Sequence, residues 1–261
     1  MVGLGITSFI LATFLVAVIL QTLAYAIAMR QKRVDIVDVF WGLSFIVIAL
    51  CGYALSPEYT LSGTIVALLV VVWGLRLSWH IYRRFRRSSE QDPRYTDIIH
   101  AMPTRMRALQ IYVRIFFVQA VLAWIISIPV LVAEVYGSTD MLWLGLGVIV
   151  WIIGFMFESI ADRQLANFLQ QNRGASLMTE GLWRYSRHPN YFGEITQWWG
   201  IWITTLMSPL SLLALVGPLA ITILITKVSG IPLAEKRSQS RPGWKAYAHS
   251  TSVLIPMPPH R

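Results

Sequence analysis

Two arginines, a histidine, two tyrosines, an asparagine and a glutamate crowd into the run GLWRYSRHPNYFGE, Gly181 to Glu194. Guanidinium groups hold phosphate or carboxylate oxygens through forked hydrogen bonds. The run leads directly into the apolar stretch Trp198–Leu206. Pro189 has a fixed φ and no N–H to lose, so it suits the first turn of a helix. That helix would bring its N–H groups and positive dipole end to a point just after Arg184, Arg187 and His188. The chemistry is that of an anion site, for phosphates above all, at a membrane surface. On the same helix Asn190, Glu194 and Gln197 fall at i, i+4 and i+7 and share one face. Headgroup anchoring accounts for Arg and Tyr. It does not account for a carboxylate at the head of an apolar helix, which is costly without a partner.

Other polar sets stand elsewhere in the chain. Asp35 and Asp38 open an apolar segment ahead of Trp41 and Gly42. Asp35 reads as a helix cap, and Asp38, inside the span, as a functional acid. Arg76, His80, Arg83 and Arg84 share a face of the next apolar segment, with Tyr82 beside them. Arg83 and Arg84 can snorkel to the headgroups, whereas Arg76 and His80 lie deeper. Glu90–Tyr95, EQDPRY, is either a plain polar turn or a site element carrying Arg94. Glu158 and Asp162 are spaced i, i+4 near a helix C-terminus, where carboxylates oppose the dipole. They pair with loop arginines or accept hydrogen bonds from ribose hydroxyls. Glu235 and Arg237 precede RPGWKAY, an interfacial segment or a lid over a cofactor. Metal and disulfide chemistry find no support. Cys51 is the single cysteine and lies in an apolar run. The five histidines lack tight ligand spacing. Gly145-Leu146-Gly147 follows no strand and is not a dinucleotide fingerprint.

The elements that must position these groups are membrane helices. The chain is 56% hydrophobic and 13% charged, with a mean hydropathy of +0.57. Several apolar runs approach the ~20 residues needed to cross a bilayer. The pattern predicts an all-α, polytopic membrane protein with seven transmembrane helices in one domain, residues 1–261. The helices run over about Leu4–Met29, Asp35–Leu55, Leu61–Tyr82, Ala108–Val132, Met141–Ile160, Pro189–Leu206 and Leu210–Val228. The first is too long for a signal-peptide core and is read as retained. Two polar stretches, Arg83–Arg107 and Ala161–His188, interrupt the series, and Glu134 to Asp140 make a short loop. With seven spans, every Lys and Arg except Arg76 falls on one side. Glu58, Glu134 and Asp140 fall on the other. The positive-inside rule makes the basic side cytoplasmic, the amino terminus outside and the carboxyl terminus inside. The formal charge of +9 then reports cytoplasmic loops facing anionic lipid and ligands rather than nucleic acid. A soluble, phosphate-bearing cofactor would arrive from that side and a lipid-soluble substrate from the bilayer.

GLWRYSRHPNYFGE resembles the signature of the membrane steroid 5α-reductase superfamily, in a bacterial branch once known only as a domain of unknown function. The likeness extends to WGLRLSWHIYRR (Trp73–Arg84) with EQDPRY, to the Asp162 region, and to EKR…RPGWKAY…TSVLIP near the end. The resemblance implies a seven-helix bundle that binds NADPH from the cytoplasmic side. It implies hydride transfer to the β-carbon of a conjugated enone, a 3-oxo-Δ4 steroid or related lipid. It carries Arg94, Asp162, Arg173, Tyr185, Asn190, Glu194 and Glu235 to the cofactor. Arg184, Arg187 and His188 supply supporting charge, and Glu158 and Arg237 lie beside them. Where the steroid enzymes use a glutamate on helix 2 and a tyrosine on helix 3, this chain offers Asp38, His80 and Tyr82. No obligatory protein partner is implied. The isoprenylcysteine carboxyl methyltransferases carry a similar Arg-His-Pro-x-Tyr motif and bind S-adenosylmethionine, which is the alternative. A transporter is the third class, but the sequence shows no internal repeat and no midplane cluster of polar residues.

Overall fold

The computed structural model describes residues 5–137, 140–171 and 176–259. Among them there are helices and turns and no strand. Two compact units emerge, Met1–Thr139 with Ser208–Val216, and Asp140–Met207 with Gly217–Arg261.

The first unit opens with α1, Ile6–Gln31, which ends where Lys32 takes a left-handed φ of 55°. A 3₁₀ turn, Val34–Ile36, leads into α2, Val37–Leu55. Helix α3, Leu61–Arg87, starts at Thr60, whose hydroxyl accepts from the Gly63 N–H at 3.1 Å and so satisfies one orphan donor of the first turn. Helices α2 and α3 cross where Gly42 meets Gly74. A Cβ on Gly42 would lie 2.6 Å from the Gly74 carbonyl oxygen, and one on Gly74 would lie 2.8 Å from that of Gly42. Small residues at a membrane-helix crossing let backbones approach closely. Helix α4, Pro93–His100, is capped by Asp92, which accepts from the Arg94 N–H at 2.9 Å.

The apolar stretch expected as one helix over Ala108–Val132 is broken. Helix α5, Arg107–Ile111, passes through a π-helical turn, Tyr112–Phe117, into α6, Val118–Ile126. After a bend at Ser127, α7 runs over Ile128–Val135 with Pro129 in its first turn, where a missing N–H costs nothing. This continuation corrects the loop expected at Glu134. That side chain is 1% exposed and lies in a notch left by Gly52, whose Cβ would collide with it.

The second unit is led by α8, Met141–Gln171. Its partner α9, Pro189–Ile203, follows a 3₁₀ turn at Gly181–Arg184. Glycines on both helices bring the backbones together. A Cβ on Gly154 would sit 2.6 Å from the Gly193 carbonyl oxygen, and one on Gly147 would sit 2.6 Å from that of Gly200. Helix α10, Ser211–Ala214, belongs to the first unit. Helix α11, Val216–Ile223, leads through a second π-helical turn, Leu224–Val228, to α12, Ile231–Ser238, and α13, Trp244–Ser250.

Among the described residues six helical stretches are long and apolar enough to cross a membrane. They are Ile6–Gln31, Val34–Leu55, Leu61–Arg87, Arg107–Ile126, Met141–Gln171 and Ser211–Ser238. The chain is a multi-pass membrane protein. The seventh stretch expected, Pro189–Leu206, forms α9, which at 15 residues is about 22 Å long against the ~30 Å of a hydrocarbon core.

Candidate functional site

In the first unit the site is built around Asp38, in the first turn of α2. Its carboxylate accepts from Arg94 Nη2 at 2.7 Å and from the Tyr95 hydroxyl at 2.5 Å. Arg84 approaches the same carboxylate at 3.9 Å. Arg94 also pairs with Asp92, at 3.1 Å. Tyr95 is buried and belongs to an apolar cluster that includes Ile111, Ile115 and Phe116. Burial, and then the Asp38 carboxylate, push its hydroxyl well above the ordinary tyrosine pKa. It therefore remains a proton-bearing donor at neutral pH.

A second clamp holds this arrangement in place. Arg33 pairs with Asp35 through two bonds, at 2.7 and 3.2 Å. Its other donor group reaches the Phe85 and Ser88 carbonyls at the end of α3, and its guanidinium lies 3.8 Å over the Phe85 ring. The Gln91 side chain accepts from the Val34 N–H, and Asp35 accepts from the Asp92 N–H. The α1–α2 turn is thus tied to the segment that delivers Arg94 and Tyr95. Asp35 does not cap α2, contrary to the expectation from sequence. No side chain caps that helix, and the carboxylate instead holds Arg33.

Arg94, expected at the cofactor, is instead paired with Asp38, whereas Tyr82, expected to act with Asp38, is not brought to it. Tyr82 is exposed, and its ring lies 5.9 Å from that of Trp79, also exposed. His80 is half-buried on α3. Tyr95 and Arg33 were missed. Tyr95 ends the EQDPRY motif, which was the available signal. Arg33 was counted only as a topogenic charge.

In the second unit, carboxylates on α8 meet amides on α9. Glu158 accepts from Gln197 Nε2 at 2.6 Å, and Asp162 accepts from Asn190 Nδ2 at 3.3 Å. Glu158 and Asp162 are 2% and 7% exposed. The ladder continues the seam of close glycine contacts, so backbone proximity sets the side-chain spacing. The other amide oxygens, Asn190 Oδ1 and Gln197 Oε1, are buried without a hydrogen-bond partner among the described residues. An unpaired buried acceptor costs about 1–3 kcal/mol. Two of them in one seam mark a place that a donor-bearing ligand would complete. Glu194, one turn beyond Asn190, is half-buried on the same helix.

Arg187 spends its donors on the chain itself. It bonds Glu235 at 2.8 Å and the carbonyls of Ala248 and Thr251 at 2.6 and 2.8 Å. It fixes the carboxyl-terminal tail. His188 is buried, 3.5 Å from Glu235 and stacked on Tyr191. Burial lowers its pKa to about 4, with Arg187 adding to the effect and Glu235 opposing it, so the imidazole is neutral at pH 7. Tyr247 donates to the Trp183 carbonyl at 2.6 Å, and Trp183 Nε1 to that of Ala161 at 3.1 Å. Arg184, Tyr185 and Arg237 are exposed. Arg173 lies outside the described residues.

A family model described as "Protein of unknown function (DUF1295)" matches residues 24–251. Among curated proteins, the "Uncharacterized protein C594.04c" of Schizosaccharomyces pombe is 24% identical over 233 residues. The match covers 76% of this chain and 65% of that relative, so the chain spans just under two thirds of the relative's length. No solved structure matches.

Proposed function

The chain belongs to the DUF1295 family, and from that premise we propose that it is an NADPH-dependent reductase of the carbon–carbon double bond in a lipid-soluble conjugated enone. A 3-oxo-Δ4 steroid is the expected substrate class. The observation that carries the reading is the α8–α9 seam, with its two buried amide oxygens open to donors. These acceptors suit a carboxamide or ribose hydroxyls, and Asp162 and Glu158 lie on the same seam. The α9 N-terminus favours an anion, and exposed Arg184 adds positive charge beside it. NADPH bound there would supply a hydride for the β-carbon, and a proton drawn from water would complete the reduction at the α-carbon. Taken by itself, the first unit presents Tyr95 Oη as a donor suited to a carbonyl, its hydrogen bond accepted by Asp38 in the resting state. Arg94 stabilises negative charge developing on the carbonyl oxygen, the electrostatic contribution expected of a preorganised site. In this reading α9 serves as a seventh span, with the amino terminus outside and the basic loops cytoplasmic.

One observation favours the second reading, an S-adenosylmethionine-dependent methyltransferase. Arg187, an expected source of phosphate charge, is committed to Glu235 and two carbonyls. Equilibrium titration of detergent-solubilised protein with NADPH and with S-adenosylmethionine separates the two. The reductase reading predicts NADPH binding that weakens ~10-fold or more in Asn190→Ala, in keeping with loss of one buried hydrogen bond. Binding of S-adenosylmethionine alone, weakened by the same change, would replace it with the methyltransferase.

A further inference from the structure

After α13 the chain passes through bends at residues 253–255, and its side chains alternate in exposure. Val253, Ile255 and Met257 are 42, 55 and 44% exposed, while Ser252, Leu254 and Pro256 between them are less so. The backbone is pinned from the other side. The Ser252 carbonyl accepts from the Arg187 N–H at 2.8 Å, and the Tyr185 carbonyl accepts from the Met257 N–H at 2.9 Å. The Leu254 carbonyl accepts from the Ser186 hydroxyl at 2.8 Å. With the backbone tied down by these bonds, Val253, Ile255 and Met257 are left as an exposed apolar edge.

We propose that this strap, residues 252–258, is an interfacial anchor that lays Val253, Ile255 and Met257 into the headgroup–acyl boundary of a bilayer bearing anionic lipid. Its depth follows from its tethers. It is fixed to Tyr185, Ser186 and Arg187, next to Trp183, which bonds the Ala161 carbonyl. Ala161 lies where the apolar, outward-facing part of α8, with Met156 and Ile160 exposed, gives way to Asp162 and Arg163. That level is the membrane–water boundary, where exposed Tyr185 is also at home. Exposed Arg163 and Arg184 supply positive charge near the same level, which suits an anionic surface. Pro256, Pro258 and Pro259 carry no N–H, so the strap is a poor edge for strand addition by another protein.

The test uses the full chain with Cys51→Ser, reconstituted in nanodiscs of phosphatidylcholine and phosphatidylglycerol. Single cysteines at the exposed positions (Val253→Cys, Ile255→Cys, Met257→Cys), at the inward position Leu254→Cys and at the control Lys245→Cys would carry a nitroxide. Oxygen concentrates in lipid and a nickel chelate in water. The proposal predicts oxygen collision several-fold above nickel collision at 253, 255 and 257, the reverse at 245, and low values for both at 254. Nickel collision equal to that at 245 would place the strap in water and overturn the proposal. Low collision with both agents at all three exposed positions would mean a protein surface covers them, and would equally overturn it. Neither outcome depends on the cofactor.

Discussion

Tyr95 is where the chemistry of the first unit concentrates, because its hydroxyl is buried, protonated and bonded to the Asp38 carboxylate. Tyr95→Phe keeps the ring and its packing and removes only the donor. The reductase reading predicts a fall in kcat of about 10²-fold or more with little change in KM, the scale of losing one oxyanion donor. Initial rates at saturating cofactor check this. In the second unit His188 gives a stability signature. Its native pKa of about 4 lies below its ordinary value of 6.5, so protonation favours the unfolded chain. Its contribution is present above about pH 6.5 and is lost as pH falls through 4. Melting temperature in detergent should drop over that window, and less steeply in His188→Asn. Asp38 was legible in the sequence, as an acid in an apolar run with no role in solubility. Its partners were not, because Arg94 and Tyr95 lie more than fifty residues away and only the folded chain shows which arginine reaches it. Arg187 shows the converse: a charge suited to phosphate in isolation is bound to the tail carbonyls in the fold.

At the scale of elements, glycines decide where the polar pairs fall. The Gly42–Gly74 contact lies one turn from Asp38, and the Gly154–Gly193 contact lies one turn from Glu158. Gly154→Ala forces a methyl group against the α9 backbone. Overpacking of this kind costs about 1–3 kcal/mol, and a lower melting temperature should accompany a higher Kd for NADPH. Gly145, on the same helix, has open space around a built Cβ. There Gly145→Ala should leave binding unchanged and raise stability by up to about 1 kcal/mol, through helix propensity alone. Hydropathy made the helices legible, since long apolar runs have few alternatives. It could not show the bend at Ser127, nor the burial of Glu134, whose side chain occupies a notch at Gly52 in a different helix. Nor could it show the length of α9, because the apolar run extends beyond the residues that keep helical geometry.

For the molecule as a whole, the account needs every basic loop on one side of the membrane and an odd number of crossings. Reporter tags at the two termini should therefore be protected on opposite sides of sealed membranes. Tags on the same side would remove α9 from the list of spans and require an even count. The composition carried the membrane class plainly, and the charge distribution carried the expected orientation. The reaction was legible only through the GLWRYSRHPNYFGE resemblance, because no spacing of polar residues by itself names a hydride acceptor. The most direct test of the central claim is product analysis after incubation with a 3-oxo-Δ4 steroid and NADPH deuterated at the transferring position of the nicotinamide. The account predicts a saturated product with one deuterium at the β-carbon, formed by the wild type and strongly reduced in Tyr95→Phe. Unchanged steroid with no deuterium, from protein that retains S-adenosylmethionine and not NADPH, would contradict it.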